Sequence, residues 1–177
     1  MKKILNISII AIMLLLLFTQ CKDSKKKHNK ESKTSVKVLK QPNYSFDNPP
    51  QFRKDCELFF IKKANEKTIF KINTEIASTD IEKARGLMFR PEMPENNGML
   101  FLMDYEGPQS FYMRNTIIPL DIIYVNSKFE IVDIYKNTNI LDETSLPSAA
   151  PAKYVVEINA GLCDKYNIDV GDFIHFQ

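Results

Sequence analysis

A mostly β domain, a compact antiparallel sandwich or barrel-like sheet with one or two short helices, is predicted by three features of this sequence. Short apolar or alternating runs recur from residue 57 to residue 176, turn residues separate them, and no run keeps a helical period beyond two turns. The 177 residues are 44% hydrophobic and 26% charged, enough apolar material for one well-buried domain plus appendages.

The elements follow in order. Residues 57–61 form an apolar run and residues 68–72 alternate, and Ala64, Asn65, Glu66 and Lys67 between them read as a turn, so a β-hairpin opens the domain. Thr79 stands three residues before Glu82, the capping-box spacing, and Gly86 falls where a left-handed C-cap would; a short helix over 80–85 is predicted. Residues 90–98 are turn chemistry, rich in Pro, Asn and Gly. Residues 98–103 read as a strand buried on both faces, and 110–113 as extended chain. A loop over 114–119 leads into a buried strand at 120–125, and residues 126–128 connect it to a partner at 129–135. Residues 136–153, with Pro147 and Pro151, form the least regular stretch, of a length often functional in compact domains. Residues 154–158 return to strand, 160–166 to a helical turn, and 173–176 to a last strand. No internal repeat is visible.

The N-terminus reads as an address. Lys2 and Lys3 precede an apolar segment that ends at Phe18, too short to span a bilayer comfortably, since a transmembrane helix needs about 20 apolar residues. The segment Leu17, Phe18, Thr19, Gln20, Cys21 resembles the end of a bacterial lipoprotein signal, which implies removal of residues 1–20 and acylation of Cys21. An uncleaved signal anchor is the alternative. Either places the domain outside the cytoplasm, held to the lipid bilayer of the bacterial cell envelope. Residues 21–50 are rich in Lys and Ser and cannot bury enough apolar surface to offset their ordering entropy, so they are expected to be a flexible tether to a domain over 51–177.

Charge divides the chain in the same place. Residues 22–47 hold eight Lys against three acids, whereas residues 48–177 hold 14 Lys and Arg against 19 Asp and Glu. A net-negative folded part is a poor nucleic-acid partner, because phosphate neutralisation needs a concentrated basic face. The two histidines, His28 and His175, lie in the tether and beside the C-terminus, which leaves almost no material for a Ser-His or Cys-His pair or a His-rich zinc site. Five of the seven Met fall between Met88 and Met113. Soft thioether ligation of Cu(I) is one reading, but without a compact Met-x-x-Met run core filling is the better one, and neither metal nor cofactor is expected.

Several motifs then point to a family. They are Glu75 to Ala77, Arg85-Gly86-Leu87-Met88-Phe89-Arg90, Gly98-Met99-Leu100-Phe101, Ser110-Phe111-Tyr112-Met113-Arg114-Asn115-Thr116, Ile118-Pro119-Leu120-Asp121-Ile122, Tyr154-Val155-Val156-Glu157 and Gly171-Asp172. Together they resemble the domain-of-unknown-function family 192 over about residues 69–175. Tyr112 and Arg114 stand where that family usually has Trp and Lys. The resemblance implies a β-rich sandwich-like fold, frequent export or membrane attachment, and no established activity.

Candidate site residues come from polar groups in apolar surroundings. Asp121 lies in a strand expected to be buried, and an unpaired buried charge is costly, so it needs a partner. Arg85, Arg90 and Arg114 are the cations at hand, and the backbone N–H groups around Asn115 and Thr116 the neutral alternatives. The same arginines with Tyr112, Asn115, Thr116 and Asp121 have the composition of a pocket for a small polar or glycan-like ligand. Asp121 then either holds an Arg for that ligand or fastens a loop. Glu157, also in an apolar run, pairs with Asp121 as the acid and base of a cell-envelope carbohydrate hydrolase in a second reading, and a non-catalytic structural accessory is the third. Cys56 and Cys163 leave a disulfide and two free thiols equally open.

Overall fold

The structure is a computed structural model that describes residues 42–177. The signal segment, Cys21 and the tether as far as residue 41 lie outside the described residues. Among the described residues nine strands and two short helices follow in order: β1 (Cys56–Ile61), β2 (Thr68–Ala77), α1 (Asp80–Arg85), β3 (Asn97–Gly107), β4 (Ser110–Phe111), β5 (Leu120–Val125), β6 (Ile131–Tyr135), β7 (Leu146–Pro147), β8 (Ala152–Asn159), α2 (Leu162–Tyr166) and β9 (Phe173–Phe176). The mostly β class with two small helices is what the alternation and turn chemistry predicted. Residues 42–50, assigned by composition to the tether, instead belong to the domain: Phe46 packs edge-on against Phe89 at 5.3 Å, and Pro50 is buried.

Seven strands form one sheet in the order β6-β5-β8-β3-β2-β1-β9, and β4 and β7 pair as a small ribbon. All pairs are antiparallel except β2 with β3, which run parallel. A parallel pair needs a crossover of a dozen or more residues, and the chain from Ser78 through α1 to Asn96 supplies it. One bridge, Glu130 with Phe173, joins the flank of β6 to β9, so the sheet curls back on itself without closing into a barrel.

The strand period of two sorts the buried side chains onto two faces. Leu100, Ile123, Val125, Val156 and Ile158 point to one, where they meet Leu58, Phe60, Ile72 and Ile174, with Leu162, Cys163 and Ile168 from α2 and its exit. Met99, Phe101, Leu120, Ile122, Tyr124 and Val155 point to the other, under Leu87, Met93, Met113 and Ile118 from the long connections. Burial on both faces explains why all six residues of β5 are buried and read as one apolar run. Met93, Met99 and Met113 are core, as the core-filling reading expects, and Met103 is partly buried against them.

Candidate functional site

On the second face, the turn after α1 and the chain around β4 lie over β3 and β8 and leave a cavity of about 200 Å³. Its walls are Leu87, Met88, Phe101, Met103 and Phe111, its polar groups are Lys83, Arg85, Ser110, Tyr112 and Thr116, and Glu157 of β8 also lines it. Each part has a local cause. Thr79 caps α1 by accepting from Glu82 N–H at 3.3 Å, while Glu82 Oε2 accepts from Thr79 N–H at 3.1 Å. That bond, with the others to Ser78 and Arg53, holds the Glu82 carboxyl down at about 2. The helix stops at Gly86, where φ is +50° and a Cβ would lie 3.3 Å from the Phe101 ring and 3.8 Å from Glu157 Oε2. Only glycine lets the helix end lie so close over the sheet at this φ.

The two loops that border the cavity are tied together. Phe89 N–H donates to the Asn115 carbonyl at 2.9 Å, and the Asn115 amide lies 3.9 Å from Met88 Sδ. Phe89 and Asn115 both hold positive φ, at 66° and 56°. Phe111 stands edge-on to Phe101 at 4.8 Å and continues the aromatic contacts to Tyr124 at 6.0 Å.

Glu157 is the unusual group. It is only 4% exposed, its Oε2 has no hydrogen-bond partner among the described residues, and burial pushes its carboxyl up to about 8. Burial is the cause of that rise and favours the neutral form, which carries an O–H donor. Arg85 is the matching donor at the edge of the cavity. Its Nε is buried without a partner, it forms no salt bridge among the described residues, and its guanidinium stacks 4.9 Å over Tyr44. Lys83 is occupied by Asp104 at 2.8 Å and Asp80 at 3.4 Å.

The other sequence candidates lie elsewhere. Asp121 points to the opposite face from Glu157: Ile122 is the ladder partner of Glu157, and Asp121 that of Ile158. Among the described residues its carboxylate meets no arginine, and it accepts from Asn137 N–H at 2.8 Å, Gly161 N–H at 3.2 Å and Cys163 N–H at 2.9 Å. It therefore fastens the start of α2 and the exit of β6 to the sheet, and is not part of the cavity. A paired-carboxylate glycosidase needs both groups in one cleft, and a sheet lies between these two. Arg90 forks onto Glu75, with Nη1–Oε1 2.7 Å and Nη2–Oε2 2.9 Å. The shorter approach is off-axis, so Oε1 gains an ionic contact without an aligned hydrogen bond. Arg114 is exposed and lies 5.5 Å over Tyr112. Arg85, Tyr112 and Thr116 line the cavity; Arg90, Arg114 and Asp121 do not, and Asn115 braces its border.

Cys56 and Cys163 are buried free thiols, so no disulfide joins them. Cys56 Sγ contacts Thr74 Oγ1 at 2.8 Å, and burial, then the charge of Asp121, pushes the Cys163 thiol far up. Sequence reasoning passed over Lys83, Phe101 and Phe111 as site residues, and nothing in their immediate neighbours marks them. Glu157, by contrast, carried the same signal as Asp121, a carboxylate inside a β run.

A curled β sheet with a small half-apolar cavity over one face defines a β domain with a candidate small-molecule site. The chain belongs to the DUF192 family, described as an uncharacterised ACR, whose model matches residues 60–176. It is similar to UPF0127 proteins of two archaea. One from Thermococcus sibiricus is 29% identical over 105 residues, covering 58% of this chain and 65% of the relative, so the chain spans just under two thirds of that protein. One from Pyrococcus furiosus is 28% identical over 112 residues, 60% of this chain and 89% of the relative. Two crystal structures share the fold. A protein of unknown function from Novosphingobium aromaticivorans has 38% identity and a TM-score of 0.64 over 67% of this chain and 83% of its own. A candidate transcription regulator from Sinorhizobium meliloti has 27% identity and a TM-score of 0.67 over 72% and 98%.

Proposed function

We propose that this protein is a membrane-tethered extracytoplasmic binding module that takes a small ligand in the cavity under Gly86. One observation carries the reading: Glu157 and Arg85, on two different elements, each keep a buried polar atom without a partner among the described residues, and both line the same cavity. Buried polar atoms are nearly always satisfied in a folded protein, and a pair left open beside a cavity fits a ligand that completes them. The aromatic wall and the hydroxyls of Tyr112 and Thr116 suit a small polar or glycan-like molecule. The hydrolase reading loses its acid-base pair with Asp121 on the other face. The regulator description of the Sinorhizobium meliloti protein finds no support in the charge of this domain, with its excess of acids over residues 48–177.

A thermal-shift screen of glycans and small anions tests the binding reading, run on wild type and Arg85→Ala. Ligand-dependent shifts in wild type that vanish in the variant support it. No shift with any compound, or equal shifts in both proteins, favours the structural accessory. The tether has a separate test: a palmitate-type label incorporated by wild type and lost in Cys21→Ser supports acylation, whereas labelling that survives the substitution contradicts it.

A further inference from the structure

The ligand's chemical class follows from the charges that face the cavity, given the binding reading above. The ionisable side chains lining it besides Tyr112 are Lys83, Arg85 and Glu157. Lys83 is committed to Asp104 and Asp80, both outside the lining, while Arg85 stacks on the Tyr44 ring and has no salt bridge among the described residues. The remaining titratable or charged groups near Glu157 are Tyr124 on β5 and, across β3, the closed Glu75–Arg90 pair, aligned beside Met99. None of these supplies a free negative charge to the cavity.

We propose that the cavity binds a small organic carboxylate with an apolar body, its carboxylate held by the Arg85 guanidinium and the Glu157 carboxyl and its body resting on Leu87, Phe101 and Phe111. Guanidinium forks match carboxylates in geometry and charge. A carboxyl kept neutral by an apolar site donates a hydrogen bond to an anion, and the incoming negative charge favours that neutral form further. An amine would meet the opposite conditions. It faces the unanswered Arg85 charge at the edge of the cavity, and binding would require Glu157 to ionise in a buried site. A neutral sugar would leave the Arg85 charge unanswered.

The two charge classes differ in the sign of their pH dependence. Carboxylate binding needs the proton on Glu157, so its affinity is flat below the Glu157 midpoint near 8 and falls about tenfold per pH unit above it. Amine binding releases that proton and strengthens with pH instead. Calorimetric titration of the full-length chain with butyrate, benzoate, butyramide, butylamine and glucose between pH 6 and 9 separates them. Butyrate and benzoate should bind, with the fall above pH 8. Glu157→Gln, which keeps an N–H donor, should retain binding and lose the fall. Arg85→Ala should abolish binding at every pH, and Arg85→Lys should recover part of it. Binding of butylamine or glucose in preference to the carboxylates, or carboxylate binding that ignores both pH and Arg85, overturns this assignment while leaving the cavity a binding site. No binding by any probe, with wild type folded, overturns both.

Discussion

Asp121 and Glu157 sit one ladder step apart on adjacent strands, both buried, both inside apolar runs, yet they differ in every contact that matters. Asp121 faces the interior of the curl and accepts three backbone N–H bonds. Glu157 faces the other side, under Gly86, and its Oε2 has no partner among the described residues. The fold supplied hydrogen bonds for one carboxylate and left the other in a cavity. A buried carboxylate with its hydrogen bonds made is architecture, and a buried carboxyl left without a partner marks a place where something else is expected to bind.

The sharpest way to break the comparison is to remove the satisfied member. Asp121→Ala removes three bonds to a carboxylate, from the buried Cys163 N–H and the part-buried Asn137 and Gly161 N–H groups, and should cost about 5 kcal/mol in denaturant unfolding. A loss under about 1 kcal/mol would mean that the three bonds do not hold α2 in place. Arg90→Ala comes next. It leaves Glu75 buried without its cation and should cost about 4 kcal/mol, whereas Arg114→Ala, at an exposed stack, should stay within about 0.5 kcal/mol.

Glu157→Gln should behave in the opposite sense, and only as pH rises. The folded protein holds this carboxyl near 8, above its ordinary 4.5, so the unfolded chain loses its proton first. The stability contributed by the neutral form is complete below about pH 4.5 and declines by about 1.4 kcal/mol per pH unit until pH reaches about 8. Wild type should therefore lose about 3 kcal/mol relative to Glu157→Gln between pH 5 and pH 7. Unfolding curves of the two proteins that stay parallel across that interval would contradict the neutral assignment.

Much of the fold was legible in the sequence because alternation and turn chemistry are local signals. The hairpin strands, the capped helix from Thr79, the central strand over 120–125 and the return over 154–158 all stand where the pattern placed them. The parallel run of β2 beside β3 was not legible, since a crossover depends on where the chain returns and not on its residue types. The site was legible only in part. Asp121 and Glu157 announce themselves equally in the sequence, and only the pairing of β5 with β8 puts them on opposite faces. The arginines divide in the same way. Arg85 and Arg90 flank one short loop, but the carboxylate that answers Arg90 lies on β2, a position that composition does not reveal. Neither does composition show that residues 42–50 pack, since Phe46 finds Phe89 only in the folded domain.

The central claim is that Glu157 is a neutral carboxyl at a binding cavity, and a direct titration tests it best. The full-length protein, labelled with carbon-13 at the glutamate carboxyl, is followed by NMR from pH 4 to pH 10, with Glu157→Gln assigning the resonance. A single carboxyl with its midpoint near 8, absent from the variant, is the predicted result. A Glu157 resonance that titrates between about 4 and 5, as an ordinary carboxylate does, would contradict it.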